Sequence, residues 1–313
     1  MEAHQERHVP RLVLTKEGTE GLAELNRILE QNSSDTWAYA KRGAIYYQLQ
    51  RYDKALADFR RAIELSPTYA WAYAQRGQTY YLLNCYAEAL ADFNQAIALT
   101  PDSAWALAQR GVVHYRRLDG QLDYDQALAD LTQAIKLKPD YVWALIQRAN
   151  LYVMTQRYKE GLADADQVYA LNKNIVPNWF GERGLLLNYL GRYTDTIECC
   201  QQAVREDPSD YFALYSLTVA RALSEGLAQA QPDILRTRSV LQLVMETKKC
   251  GLVIYRLGGL AALEGKTTQG LDYLQQAIPL HSEPIIMARN DPAWLNLRSD
   301  RRFQALIAES NRA

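Results

Sequence analysis

Four stretches of this chain are near copies of one another: Trp37-Ala-Tyr-Ala-Lys-Arg-Gly43, Trp71-Ala-Tyr-Ala-Gln-Arg-Gly77, Trp105-Ala-Leu-Ala-Gln-Arg-Gly111 and Trp143-Ala-Leu-Ile-Gln-Arg-Ala149. The steps between their Trp residues are 34, 34 and 38. A second block follows each: Ala55-Leu-Ala-Asp-Phe59, Ala89-Leu-Ala-Asp-Phe93, Ala127-Leu-Ala-Asp-Leu131 and Gly161-Leu-Ala-Asp-Ala165. A repeat of this length holds one supersecondary unit, which cannot bury its apolar face alone. Neighbouring units must stack to make a core, so the period favours an array over a single globular centre. Within a unit, apolar residues fall at helical spacing, as in Ala55, Phe59 and Ala62. Small residues such as Gly43 and Ala55 let two helices approach closely. Pro67, Pro101, Pro139 and Pro208 close units, because proline lacks the N–H that would continue the second helix. Each unit therefore reads as two amphipathic helices.

These positions resemble the tetratricopeptide repeat (TPR) family. Its units place an aromatic early in the first helix, then a small residue, then Tyr, with Ala and an aromatic in the second helix and a closing Pro. The first unit supplies Tyr39, Gly43, Tyr46, Ala55, Phe59, Ala62 and Pro67; the second supplies Tyr73, Gly77, Tyr80, Ala89, Phe93, Ala96 and Pro101. The resemblance implies an all-α fold, a right-handed α-solenoid of helix–turn–helix repeats. Five well-matched units are expected over 36–210 (36–69, 70–103, 104–141, 142–176 and 177–210), and two degenerate ones over 211–284. In the fifth, Thr196 and Cys200 take usual Ala and aromatic positions; in the seventh, Leu257, Gly258, Gly270, Leu274 and Ala277 keep the frame. The break Gln231-Pro232-Asp233 suggests a longer inter-helix loop in the sixth. Residues 1–35 read as a tail and a capping helix, with Leu22, Leu25, Ile28 and Leu29 on one face. Residues 285–313 read as an irregular strap and a second capping helix around Phe303, Leu306 and Ile307.

The family also supplies a register. Positions 2, 5, 6, 9, 12 and 13 of each first helix line or border the concave face. Position 2 holds Trp37, Trp71, Trp105 and Trp143, then Asn178 and Phe212; position 12 holds Tyr47, Tyr81 and Tyr115. The two positions are nearly three helical turns apart and share a face. Much of the remaining lining is small or apolar, including Ala40, Ala44, Ala74, Ala108 and Val112. Two readings stand side by side: the indoles seal the junction between adjacent units, or they form a ladder that grips a guest. Exposed Trp and Tyr favour recognition because they offer much area with few rotors to freeze. Position 6 carries Lys41, Gln75, Gln109, Gln147 and Glu182. The three Gln are similar to the asparagine ladder in the TPR array of O-GlcNAc transferases; an amide donates and accepts at once and so matches a peptide backbone. A solvated polar edge is the plainer alternative. Position 7 carries Arg42, Arg76, Arg110, Arg148 and Arg183, and Asp58, Asp92, Asp130 and Asp164 recur in the second helix of the first four units. That pairing suggests an ion pair between the two helices, since Arg is a two-pronged donor suited to carboxylate. A row of free Arg reading phosphate or carboxylate is the other option. The fifth unit has Cys199 at the Asp position, so Arg183 should find another partner.

Little in the sequence points to chemistry. The third unit's insertion, Leu118 to Asp125, is rich in Asp, but Tyr124 stands where a calcium loop needs Gly and Asp130 where it needs Glu. His114 replaces a helix Tyr and reads as packed. No metalloprotease, nucleophile-elbow, Walker or dinucleotide motif occurs. No enzyme activity, cofactor or metal is expected. With 35 basic and 36 acidic residues the net charge is −1, so no global field draws in nucleic acid or an anionic membrane. No run of 18 apolar residues suggests a membrane span, and Met1 to Pro10 lacks the apolar core of a secretory signal. Four Cys without a CxxC pair read as reduced thiols, consistent with a cytoplasmic protein. Ala40, Ala44, Trp105 and Gln109 stand where chaperone adaptors of the family hold a C-terminal carboxylate, so that clamp is not expected. The expectation is a non-catalytic protein–protein interaction scaffold. Trp37, Trp71, Trp105, Trp143, Tyr47, Tyr81 and Tyr115 would anchor a peptide or partner domain, and Gln75, Gln109 and Gln147 would read its backbone. The alternative is a sensor, regulatory or self-assembling subunit of a larger complex, with a homo-oligomer as its simplest form.

Overall fold

The computed structural model describes residues 16–117, 120–171, 179–247, 250–280 and 287–309. The tail before Lys16, Leu118 and Asp119 of the insertion, Asn178, and residues 285–286 of the strap lie outside them. The described residues form helices and turns with no strand. They fall into two compact units, 2–148 and 149–313.

The first unit runs α1 (Lys16–Gln31), α2 (Thr36–Gln48), α3 (Tyr52–Leu65), α4 (Ala70–Leu82), α5 (Tyr86–Leu99), α6 (Ala104–Arg116) and α7 (Tyr124–Leu137), then the first half of α8 (Val142–Met154). α1 packs on the first hairpin: it buries Leu25 and Leu29 beside Ala38, with Tyr39 and Ile45 packed around them. α2 pairs with α3, α4 with α5, and α6 with α7. The pairs close because the crossing residues are small. A Cβ on Gly43 would come within 2.9 Å of the Phe59 ring. The turn between paired helices needs one left-handed residue, supplied by Gln50 (φ 57°) and Asn84 (φ 60°). The insertion lengthens the third such turn. There Asp123 caps α7 by accepting from the Gln126 N–H, so one of the suggestive aspartates has a local role.

Three of the expected Arg–Asp pairs, in the first three hairpins, are present and two-pronged. Nε and Nη2 of Arg42 reach the Asp58 carboxylate at 2.8 and 2.7 Å. For Arg76 with Asp92 and Arg110 with Asp130 every bond is 2.7 Å. The third prong reaches back to the preceding hairpin, where Nη1 of Arg42 donates to Asn26 and that of Arg110 to Asn94. One guanidinium thus ties three helices together.

The second unit continues from α8 through α9 (Tyr158–Leu171), α10 (Trp179–Tyr189), α11 (Tyr193–Glu206), α12 (Tyr211–Ser224), α13 (Leu227–Thr247), α14 (Gly251–Leu263) and α15 (Thr267–Ala277). A 3₁₀ segment, Pro292–Leu297, and α16 (Arg301–Glu309) close it. Arg183 donates to Asp166 at 2.7 Å, with Cys199 also beside it. The loop expected around Pro232 is absent: Gln231, Pro232 and Asp233 lie inside α13. The turn sits earlier, at Gly226 (φ 97°), and Pro232, the sixth residue of the helix, forgoes one N–H bond without ending it. α12 and α14 are buried on nearly all sides. Their sequences are apolar all round, as a covered helix requires, and the strap and α16 supply part of the cover.

Candidate functional site

The aromatic ladder divides according to what precedes each indole. Twelve residues before Trp71 and Trp105 stand Phe59 and Phe93; twelve before Trp37 and Trp143 stand Leu25 and Leu131. Trp71 and Trp105 accordingly meet those phenyl rings edge-on, each at 6.3 Å between centroids. They are half-buried, sealing a junction on one side while the other side stays accessible. Trp143 is also half-buried and packs at 6.0 Å on Tyr141, whose phenol burial pushes up to about 12. Trp37 meets no aromatic ring among the described residues and is 54% exposed. The indoles thus seal a junction at Trp71 and Trp105 and leave an accessible face at Trp37.

Position 12 divides in the same way. Tyr47 and Tyr81 are half-buried and lean on Tyr52 and Tyr86, the first residues of the paired helices, at 6.0 and 6.2 Å. Burial raises the Tyr47 phenol, and a hydrogen bond with Gln78 pulls it partly back. Tyr115 is buried, and its hydroxyl donates to Oε1 of Gln147 at 2.8 Å. Gln147 is buried as well, so this last amide of position 6 is engaged within the unit. Gln75 and Gln109 remain half-exposed.

Where α2 meets α4 these residues enclose a cleft of about 390 Å³, lined by Lys41, Ala44, Ile45, Tyr47, Gln48, Trp71 and Gln75. Six of the seven stand at register positions 2, 6, 9, 12 or 13. The small Ala44 leaves the room, and the aromatics at its edges shape the walls. Lys41 extends across the mouth, its Nζ 5.8 Å from the Trp37 centroid and 5.2 Å from that of Trp71. Attraction to the two ring faces holds that ammonium in place. Ile45 and Gln48 were not among the expected site residues. Gln48 could have been found from its register position; Ile45 could not, because α1 draws its side chain toward Leu25.

A sequence model of the TPR repeat matches residues 43–84 and 77–117. Residues 43–117 therefore carry TPR repeats. No curated protein sequence matches the chain. Among solved structures, a tetratricopeptide repeat protein from Parabacteroides merdae is similar at 16% identity and a TM-score of 0.62, over 84% of this chain and 99% of that one. YrrB, described as a TPR protein with an unusual peptide-binding site, is similar at 21% identity and a TM-score of 0.50, over 61% and 96% of the two chains. These likenesses show the TPR fold. Repeats of this kind are protein-interaction scaffolds and are generally non-catalytic. Among the described residues no helix is long and apolar enough to cross a membrane, and no three acidic, His or Cys side chains gather as a metal site.

Proposed function

We propose that residues 2–148 of this chain hold a peptide segment of a partner protein in the groove that opens at the α2–α4 cleft. Trp37, Trp71 and Tyr47 anchor it, and Gln75 pairs with its backbone. Trp105, Trp143, Tyr81 and Gln109 extend the same register, while Tyr115 and Gln147 close on each other. The observation that carries this reading is the exposed indole of Trp37 beside a cleft lined by groove-register residues. A ring left more than half in water contributes little to its own fold and much to a guest that covers it. YrrB, which shares the fold, has a peptide-binding site, which supports the same use here.

The test is selection of a random ten-residue peptide library, displayed on phage, against the full chain. Selected peptides should lose roughly tenfold or more in affinity to Trp37→Ala and to Tyr47→Ala, while Trp37→Ala stays folded with the helical content of the wild type. Peptides indifferent to both substitutions, or no selection at all, would overturn the proposal.

A further inference from the structure

Resting on that reading of the groove, the geometry points to a guest that presents an acidic side chain, an Asp or Glu within an extended segment, to Lys41 at the cleft mouth. Three observations support this.

The first is charge segregation. Across the groove-register positions of residues 36–148, the charged residues are Lys41 and Arg116, and none is Asp or Glu. The chain as a whole is almost neutral, so its acids lie elsewhere: Asp58, Asp92 and Asp130 are held by Arg, and Asp35 and Asp123 cap helices. A guest in this groove meets only positive side chains, which attract carboxylate and repel Lys or Arg.

The second is the state of Lys41. Among the described residues no carboxylate lies within ion-pair distance of it, and its side chain is exposed. The two indoles fix its position, so a carboxylate arriving at the mouth finds an ammonium already placed, with the Gln75 amide on the same lining. Preorganisation of this kind lowers the ordering cost of binding.

The third comes from the second unit, where the chain supplies its own example. Tyr215 and Tyr255, at position 5 of α12 and α14, both donate to Oδ2 of Asp291, at 3.3 and 2.6 Å. Arg256, at position 6 of α14, the register position of Lys41, lies 3.8 Å from the centroid of Phe212, the position-2 aromatic of α12. The favourable field of Arg256 reaches Asp291. Asp291 is followed by Pro292, Ala293 and Trp294, all buried. On the groove register of one unit, then, a cation at position 6 stacked on a position-2 ring accompanies an aspartate of a non-helical segment. Asp291 is bonded by the two Tyr hydroxyls and not by Arg256; the first unit shares only a cation beside position-2 rings, with Lys41 between Trp37 of its own helix and Trp71 of the next. Its position-5 residues are Ala40, Ala74 and Ala108 where the second unit has Tyr, which leaves space for the guest's own side chains.

The same phage selection tests this separately from the groove itself. The peptides recovered on the full chain should be enriched in Asp or Glu at one aligned position. Their affinity should fall about three- to tenfold with Lys41→Gln, and by a similar factor when that acid is changed to its amide. Added salt should weaken the wild-type complex and leave the Lys41→Gln complex nearly unaffected. Selection on Lys41→Glu should discard acidic peptides. Peptides that need Trp37 but show no acidic enrichment, or that ignore Lys41→Gln, would overturn the acidic guest and leave the groove standing. Peptides that need neither would remove both.

Discussion

Truncating two indoles of the same repeat position should destabilise the protein unequally. Trp71 is half-buried, and its ring meets Phe59 edge-on across the junction between the first and second hairpins. A Trp on full burial removes about 150–250 Å² from water, and an edge-on aromatic pair adds roughly 0.5–1.5 kcal/mol. With somewhat more than half of that area lost at about 25 cal/mol per Å², Trp71→Ala should cost about 3–4 kcal/mol. Trp37, at 54% exposure and without a ring partner, loses a little under half of such an area and should cost about 2 kcal/mol. In a stacked array stability is close to a sum of repeat and interface terms, so Trp71→Ala should also broaden the unfolding transition by weakening one junction. Urea melts followed by far-ultraviolet circular dichroism would measure both. If Trp37→Ala destabilises as much as Trp71→Ala, or if Trp71→Ala is silent, the division of the ladder into sealing and guest-facing rungs is wrong.

Two further outcomes follow from the polar framework. Arg76→Ala leaves the buried Asp92 carboxylate without its two-pronged partner and should destabilise by about 3 kcal/mol; replacing both residues with Leu should recover a good part, as a double-mutant cycle in urea would show. Burial holds the Asp291 carboxyl above its ordinary value of 3.8, against the bonds from Tyr255, the Ala293 N–H and Tyr215. Above the ordinary value the unfolded chain has released this proton while the folded chain still binds it. The contribution of Asp291 to stability is therefore largest at low pH and declines as pH rises from 3.8 through the raised folded value. The stability difference between wild type and Asp291→Asn, measured by melting across acidic pH, should show that decline; a flat difference would mean the carboxyl is not shifted.

Much of the fold was legible because the signal recurs. Gly43, Gly77 and Gly111 meet the same steric demand at the same offset, and Arg42, Arg76 and Arg110 find Asp58, Asp92 and Asp130 as the spacing implies. Repetition turns weak local preferences into a strong pattern, and the helices at Leu25 and Phe303 follow from their apolar faces. Where the repeat decays, local signals mislead. Pro232 looks like a break but is a helix residue, because Gly226 already makes the turn. Asp291 and Trp294 stand in a stretch that reads as an irregular strap, yet Trp294 is fully buried and stacks on Tyr255 and Phe303 at 5.5 and 5.9 Å. Only the all-round apolar character of α12 and α14 hinted that something must cover them.

The amino-acid order by itself determined the helix pairs, their closeness, the Arg clasps and the set of side chains that could face a guest, since each of these depends on spacing within one or two turns and one hairpin. It left open which of those side chains are free. Tyr115 and Gln147 are 32 residues apart and bond to each other, whereas Trp37 faces water although it shares its repeat position with the half-buried Trp71, Trp105 and Trp143. Exposure is a property of the neighbour that happens to pack there, and only the tertiary structure brings that neighbour into place.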